Sequence, residues 1–152
     1  MPRRLSDAFG QHSIAFQAEQ LSFSQAVEQA VALLVQDQRV TSDYKDQVIK
    51  NLEDLGPYFV VAPGIALAHA GPSEAVLQTG FSLLKLDRGV ESGSANDPVR
   101  LVFAFCAVNA DSHIELLGEF AEMISAPGKV KSLLNSSAIG VIRALLVDQP
   151  VR

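Results

Sequence analysis

The run VRLVFAFCAV, at residues 99–108, decides what kind of fold this chain can form. Apart from Arg100 it is apolar, and it is rich in the β-branched and aromatic residues that favour strands. Polar and apolar residues do not alternate along it, so neither face of such a strand is suited to water. We therefore predict a central strand that is buried on both faces, with helices covering the sheet on each side.

Helical patterns lie on both sides of this strand in the sequence. Apolar residues recur at helical spacing over residues 23–35 and 42–55 before it, and over residues 113–125 after it. Two shorter helices are predicted within residues 127–134 and 136–147, because proline or serine precedes each apolar stretch. These segments supply enough helices to cover both faces of a sheet.

Three further strands are predicted at residues 58–62, 65–70 and 76–86, where β-branched and aromatic residues cluster between breaks rich in Gly and Pro. The sequence thus predicts an α/β fold, in which a single domain has a mixed β-sheet sandwiched between helices. We assign this domain to residues 21–148. Residues 1–20 are mixed in character, and we interpret them as an N-terminal tail.

Length and charge narrow the classes of function. The 152 residues are suited to one domain, and 12 basic against 17 acidic side chains give a net charge of −5. An acidic chain of this kind lacks the clustered basic face of a nucleic-acid-binding protein. The longest apolar run, residues 101–108, is far shorter than the roughly 20 residues of a membrane-spanning helix, and no signal-peptide pattern follows the N-terminus. We expect a cytoplasmic protein without membrane insertion.

The single cysteine, Cys106, excludes an internal disulfide and makes a reducing compartment the simplest fit. It lies inside the apolar run at 101–108, whereas reactive cysteines need an exposed and electropositive setting. We expect a buried core thiol.

Two of the three histidines lie where chemistry is plausible. His69 ends a predicted strand among alanines and a glycine, and His113 is the predicted first residue of the helix that follows the strand at 99–108. Ligands of open α/β sheets gather beyond strand ends, so this pair is the candidate catalytic site. The plainer interpretations are a satisfied histidine at a strand end and a filler in a capping box made by Ser112 and Glu115. His12 lies in the predicted tail, where we expect a solvated residue without a role.

Other kinds of site have less support. Two histidines without a cysteine partner make a poor zinc site, although Asp111 leaves open a metal-dependent hydrolase with two histidines and one carboxylate. The chain has no GxSxG nucleophile elbow, no Walker loop and no dinucleotide-binding fingerprint. The residues therefore indicate no nucleotide site and no organic cofactor.

Four blocks in order carry a resemblance to a known family. They are LGPYFVVAPGIALAHA (residues 55–70), LLKLD (83–87), GSANDPV (93–99) and ADSHIELL (110–117). They resemble the type-2 IIA components (PTS EIIA type-2) of the bacterial sugar phosphotransferase system, the mannitol/fructose superfamily, and most closely its ascorbate-type branch. The resemblance extends from about Leu21 to Leu146.

The resemblance implies a fold and a function. It implies the mannitol/fructose IIA-like α/β fold and a phosphocarrier in which His69 accepts a phosphoryl group from phospho-HPr and passes it to a cysteine of a IIB component. It also implies that His113 stabilises the phosphoryl group and that neither a metal nor a cofactor takes part. The sequence does not determine the oligomeric state, although an exposed apolar helix face would be suited to a homodimer. The alternative is a regulatory IIA-like module that binds proteins with weak or no phosphotransfer.

The chain departs from the family pattern beside the candidate histidine. The family usually has Pro immediately before its active histidine, where this chain has Ala68, and the ascorbate-type branch commonly has Arg where this chain has Gly71. The predicted helix at 42–55, where other branches place an active-site Arg, offers only lysines. We expect slower transfer than in relatives with the Arg, and we consider Lys50 and Arg100 as candidate substitutes for the missing cation.

Overall fold

A five-stranded mixed sheet forms the centre of the computed structural model, which describes residues 5–147. The strands are β1 (Phe9–Gln17), β2 (Val60–Ala62), β3 (Ile65–His69), β4 (Gly80–Val90) and β5 (Val99–Cys106). Their order in the sheet is β1-β4-β5-β3-β2. Strand β1 is parallel to β4 and β3 is parallel to β5, whereas the β4–β5 and β2–β3 pairs are antiparallel. The predicted mixed sheet is confirmed.

Helices cover both faces of this sheet, as predicted. They are α1 (Leu5–Ala8), α2 (Phe23–Gln36), α3 (Ser42–Leu55), α4 (Ala110–Ser125), α5 (Lys129–Asn135) and α6 (Ile139–Val147), and a 3₁₀ turn at Gly56–Phe59 follows α3. Helices α2 and α3 pack on one face, and α1 and α4–α6 contribute to the core on the other.

Strand β5 has the environment that its sequence predicts. Every residue of β5 except Arg100 is completely buried. Val102 and Ala104 face the core beneath α2 and α3, and Phe103 and Phe105 face the core on the opposite side. Because successive side chains of a strand point to opposite faces, a strand covered on both sides must be apolar throughout.

The N-terminal segment is not the tail that the sequence predicts, because it forms a helix and a strand. Within residues 1–20, α1 and β1 occupy Leu5–Gln17, and β1 pairs with β4 as an edge strand. His12 is not a bystander, because its backbone N–H and its Nδ1 lie 2.8 and 2.9 Å from Oδ1 of Asp37. Ser13 donates its hydroxyl to Oδ2 of the same carboxylate at 2.8 Å. These contacts join residues that are distant in sequence and help to hold β1 in place, so no local sequence pattern predicts them. Residues 1–4 and the predicted boundary at 148 lie outside the described residues.

Helix α4 begins earlier than predicted. Asn109 is its N-cap, and the Asn109 side chain accepts a hydrogen bond from the backbone N–H of Ser112 at 2.8 Å. The expected capping box of Ser112 and Glu115 is therefore wrong, since asparagine caps a helix as well as serine does. His113 is the fourth helical residue, and its backbone N–H donates to the Asn109 carbonyl at 3.1 Å.

Candidate functional site

His69 occupies the last position of β3, at the end of the sheet where β3 and β5 stop. The parallel register pairs His69 with Phe105, so β3 and β5 end side by side. Nδ1 of the His69 ring lies 3.0 Å from the carbonyl oxygen of Leu67. A carbonyl can only accept a hydrogen bond, so this contact assigns the ring proton to Nδ1. Nε2 of His69 then has a free lone pair and is the nucleophilic atom of the ring.

The turn between β5 and α4 brings His113 to the same end of the sheet. The centroids of the His69 and His113 rings are 5.9 Å apart, with an angle of 58° between their planes. The two candidate residues are therefore neighbours in space, although 44 positions of sequence separate them (113 minus 69). Both side chains are only partly buried. A ligand can thus reach both rings from solvent.

Aromatic rings line the histidine pair. The Phe59 ring centroid lies 5.5 Å from that of His69, and the Phe105 centroid lies 5.0 Å from that of His113. This apolar surround lowers the pKa of His113, first because burial penalises its charged form and second because His69 lies close by. His113 is therefore a neutral ring at neutral pH.

The backbone around His69 is held from α3 by two residues that sequence analysis did not assign to the site. The Tyr44 hydroxyl lies 2.9 Å from both the backbone nitrogen and the carbonyl oxygen of Ala70, and 2.6 Å from the carbonyl oxygen of Phe105. Asn51 donates its side-chain amide to the carbonyl of His69 at 3.3 Å. The available signal was a tyrosine within a buried apolar stripe, since a buried phenol needs a hydrogen-bond partner.

Of the two cations considered as substitutes, Arg100 lies away from the histidine pair, and Lys50 pairs with a carboxylate on the surface of α3. Arg100 lies at the far end of β5 from Phe105, about 16 Å away at 3.3 Å per residue. There it donates to the carbonyls of Leu86 and Asp87. Lys50 is exposed, and its Nζ lies 3.2 Å from Oδ2 of Asp54. Arg100 is therefore excluded by position, and Lys50 already has a carboxylate partner.

Asp111 does not complete a metal site with the histidines. It is exposed in the first turn of α4, and across residues 5–147 no three His, Cys, Asp or Glu side chains are grouped as metal ligands. The ligand set considered for a metal-dependent hydrolase is therefore not assembled.

Cys106 is the expected core thiol. It is completely buried, and burial raises its pKa to about 12. Its Sγ contacts the carbonyl oxygens of Gln78 and Gly80. A thiol in this state is not a nucleophile at neutral pH.

None of the described helices has the length and apolar character needed to cross a membrane.

Known proteins are similar to this chain in sequence and in fold. The family model described as "Phosphoenolpyruvate-dependent sugar phosphotransferase system, EIIA 2" matches residues 8–148. The ascorbate-specific PTS system EIIA component of Escherichia coli (strain K12) is 39% identical over 115 residues, which cover 74% of this chain and 75% of that protein. The mannitol-specific cryptic phosphotransferase enzyme IIA component of the same strain is 32% identical over 139 residues, covering 89% and 92% of the two chains.

Solved structures of IIA components have the same fold as this chain. The solution structure of the mannitol-specific cryptic enzyme IIA from Escherichia coli superposes with a TM-score of 0.87 at 27% identity, covering 97% of this chain and 100% of that one. The crystal structure of IIA mannitol from Escherichia coli, at 22% identity, shares the fold with a TM-score of 0.76 over 91% and 98% of the chains. These relatives are components of phosphotransferase systems, and the family model covers residues 8–148 of the 152. This chain belongs to the type-2 EIIA family of the phosphoenolpyruvate-dependent sugar phosphotransferase system.

Proposed function

We propose that His69 is the phosphoryl carrier of this EIIA component, accepting the group from phospho-HPr in the cytoplasm and passing it to a cysteine of a IIB component. The observation that carries the proposal is the contact between Nδ1 of His69 and the Leu67 carbonyl, which leaves Nε2 unprotonated and beside His113. This nitrogen can attack phosphorus without first losing a proton.

The transfer step balances without a metal or an added base. The Nε2 lone pair forms a new N–P bond as the N–P bond of the donor phosphohistidine breaks, and the bonding pair returns to the donor nitrogen. The proton on Nδ1 of His69 stays in place, and its hydrogen bond to the Leu67 carbonyl strengthens as the ring gains positive charge. In the second step the same N–P bond breaks as a cysteine thiolate of the IIB component forms an S–P bond.

We assign to His113 the stabilisation of the transferring group. Its Nδ1 is buried, and no hydrogen-bond partner for it is present among the described residues. Burying an unpaired N–H costs more than burying an unpaired lone pair, so the proton is favoured on Nε2. A neutral ring with Nε2–H can donate to a phosphoryl oxygen, and transition states of phosphoryl transfer respond mainly to such charge stabilisation and positioning.

The relatives support this proposal through what their names state. The ascorbate-specific and mannitol-specific components are parts of phosphotransferase systems, and one neighbour by fold is a complex of enzyme IIA mannitol with phosphorylated enzyme IIB mannitol from Escherichia coli. We infer a corresponding IIB partner for this chain. The chemistry of His69 described above is compatible with that partner.

A labelling and chase experiment tests the proposed function. The protein is incubated with labelled phosphoenolpyruvate, Enzyme I and HPr, and a IIB component of the ascorbate type is then added. We expect about one acid-labile phosphate per chain, as a histidine N–P bond requires, followed by movement of the label to the IIB component but not to its Cys→Ser variant. A chain that takes up no label is instead the regulatory binding module, and the carrier proposal is then wrong.

Adding an arginine at position 71 is expected to speed phosphorylation. Gly71 is exposed two residues after His69, and a Cβ placed there meets no atom within 4 Å. An arginine can therefore be accommodated, and its guanidinium can reach a phosphoryl oxygen near His69. We expect Gly71→Arg to raise the initial rate of labelling by about 3- to 10-fold, as a charge-assisted hydrogen bond at partial exposure would.

The matched control for Gly71→Arg is Gly140→Arg. Gly140 lies on α6, and a Cβ at that position also meets no atom within 4 Å. This variant adds the same net charge away from the histidine pair. Equal rates for the two arginine variants and the wild type would show that position 71 makes no contact with the phosphoryl group.

A further inference from the structure

The residues next to His69 have side chains too small to fix the position of the backbone. The residues around it read Ala68-His69-Ala70-Gly71, so the neighbours are two alanines and one glycine. Strand β3 ends at His69, and the last Cα pair of its ladder with β5 is His69 with Phe105. Beyond this point neither ladder pairing nor large side chains hold the chain. Accurate placement of Nε2 therefore requires contacts from another element.

Tyr44 supplies such contacts at the point where the ladder stops. Its side chain is completely buried, and its hydroxyl oxygen accepts from the N–H of Ala70 at 2.9 Å. The hydroxyl has one proton to donate, and two carbonyl oxygens lie within reach of it, that of Phe105 at 2.6 Å and that of Ala70 at 2.9 Å. A single hydroxyl thus joins the residue after His69 to the residue paired with His69. Burial raises the pKa of the phenol, so it keeps the proton that these bonds use.

Asn51, two turns further along α3, holds the other side of the same peptide unit. Its amide donates to the carbonyl of His69 at 3.3 Å, while Tyr44 binds the N–H of Ala70. Both ends of the peptide group between His69 and Ala70 are therefore fixed by side chains of one helix. A displacement of that peptide unit would carry the Cα of His69 with it and change the 3.0 Å contact between Nδ1 and the Leu67 carbonyl.

We propose that Tyr44, assisted by Asn51, is a positioning residue that holds the His69–Ala70 peptide so that Nδ1 of His69 stays on the Leu67 carbonyl and Nε2 faces the incoming phosphoryl group. Tyr44 does not touch the reacting atoms. It acts through the backbone on the ring tautomer and on the ring orientation. This inference rests on the proposed carrier role of His69 for its kinetic consequence, but its structural consequence can be measured without any phosphoryl donor.

The first test is the variant Tyr44→Phe, which keeps the aromatic ring and removes the hydroxyl. With phospho-HPr as the donor, we expect kcat for phosphorylation to fall by roughly 10- to 100-fold, because small displacements of a reacting atom have effects of this size. We expect KM to change by less than about twofold, since the docking surface is unaltered. Tyr58→Phe is the matched control, because Tyr58 is the other tyrosine of the chain and is 63% exposed. The control is expected to retain the wild-type kcat.

The second test reads the His69 ring directly by ¹⁵N NMR. In the wild type we expect Nδ1 of His69 to carry the proton, and in Tyr44→Phe we expect the population with the proton on Nε2 to rise. Asn51→Ala removes only the second of the two contacts, at a half-buried position where we expect the protein still to fold. It should shift the same signals in the same direction. Val48→Ala removes buried apolar atoms from the same helix, so it lowers stability without touching the peptide and should leave the tautomer unchanged.

The outcomes separate this proposal from the carrier role. If the wild type takes up no phosphate while the Tyr44→Phe tautomer shifts, the carrier role is wrong and the positioning role is supported. If the tautomer and kcat are both unchanged in Tyr44→Phe, the positioning role is overturned. It is also overturned if Val48→Ala shifts the tautomer as much as Tyr44→Phe, because the effect would then follow from stability alone. Should Tyr44→Phe not fold, an unchanged His69 tautomer in Asn51→Ala overturns the proposal.

Discussion

His69→Ala is expected to take up no acid-labile phosphate from phospho-HPr, and this is the largest effect that we predict. The variant lacks the nitrogen that we propose as the nucleophile, and neither His113 nor Cys106 is suited to replace it. Nδ1 of His113 is buried and we assign the ring proton to its Nε2, and burial raises the pKa of Cys106 to about 12. The measurement is the amount of label per chain after incubation with labelled phosphoenolpyruvate, Enzyme I and HPr.

The matched control for this variant is His12→Ala. His12 is exposed at the start of β1, where its ring contacts Asp37 and not the histidine pair. We expect His12→Ala to be labelled at the wild-type rate, with a modest loss of stability, because the backbone N–H of residue 12 and the Ser13 hydroxyl still bind Asp37. Full labelling of His69→Ala would place the phosphoryl group on another residue and would refute the carrier role of His69.

His113→Ala is expected to slow labelling by about 100-fold without abolishing it. The loss corresponds to removing one donor that is oriented toward the charge developing on the phosphoryl oxygens. The nucleophile and its contact with the Leu67 carbonyl remain, so transfer continues at a reduced rate. The initial rate of labelling at saturating phospho-HPr measures the effect. An unchanged rate would leave His113 without a role in transfer.

His113→Gln provides the control for the chemistry of this position. A glutamine amide can donate a hydrogen bond from about the place of Nε2, so part of the lost rate should return in this variant. His113→Leu has a similar size and no donor, and it should be as slow as His113→Ala. Equal rates in the glutamine and leucine variants would indicate that His113 acts only by filling space.

The lowered pKa of His113 also gives an expected dependence of stability on pH. Because burial lowers the pKa in the folded state below the ordinary value of 6.5, the unfolded chain binds a proton first as the pH falls. The free energy of unfolding should therefore decline as the pH falls from about 6.5 toward the folded-state pKa of His113. Denaturant titrations of the wild type and His113→Gln between pH 8 and pH 5 should show a steeper decline in the wild type.

The sequence by itself determined the class of fold and the pair of histidines. The run at 99–108, apolar except for Arg100, required a strand buried on both faces, and helical spacing in the neighbouring segments supplied the layers that cover it. His69 ends one predicted strand and His113 begins the predicted helix that follows another, and ligands of open α/β sheets gather at such strand ends. These features depend on local periodicity and on simple rules for sheets, so they are visible before any coordinates.

Only the tertiary structure decided how β1 joins the sheet, where Arg100 lies relative to the histidine pair, and what holds the His69 backbone. Strand β1 is fixed by Asp37, Arg100 is carried to the far end of β5 by the register, and the Tyr44 hydroxyl joins Ala70 to Phe105. Each of these depends on contacts between residues that lie far apart along the chain. A hydrogen bond of this kind leaves no periodic trace in the sequence, because its partners are chosen by packing in three dimensions.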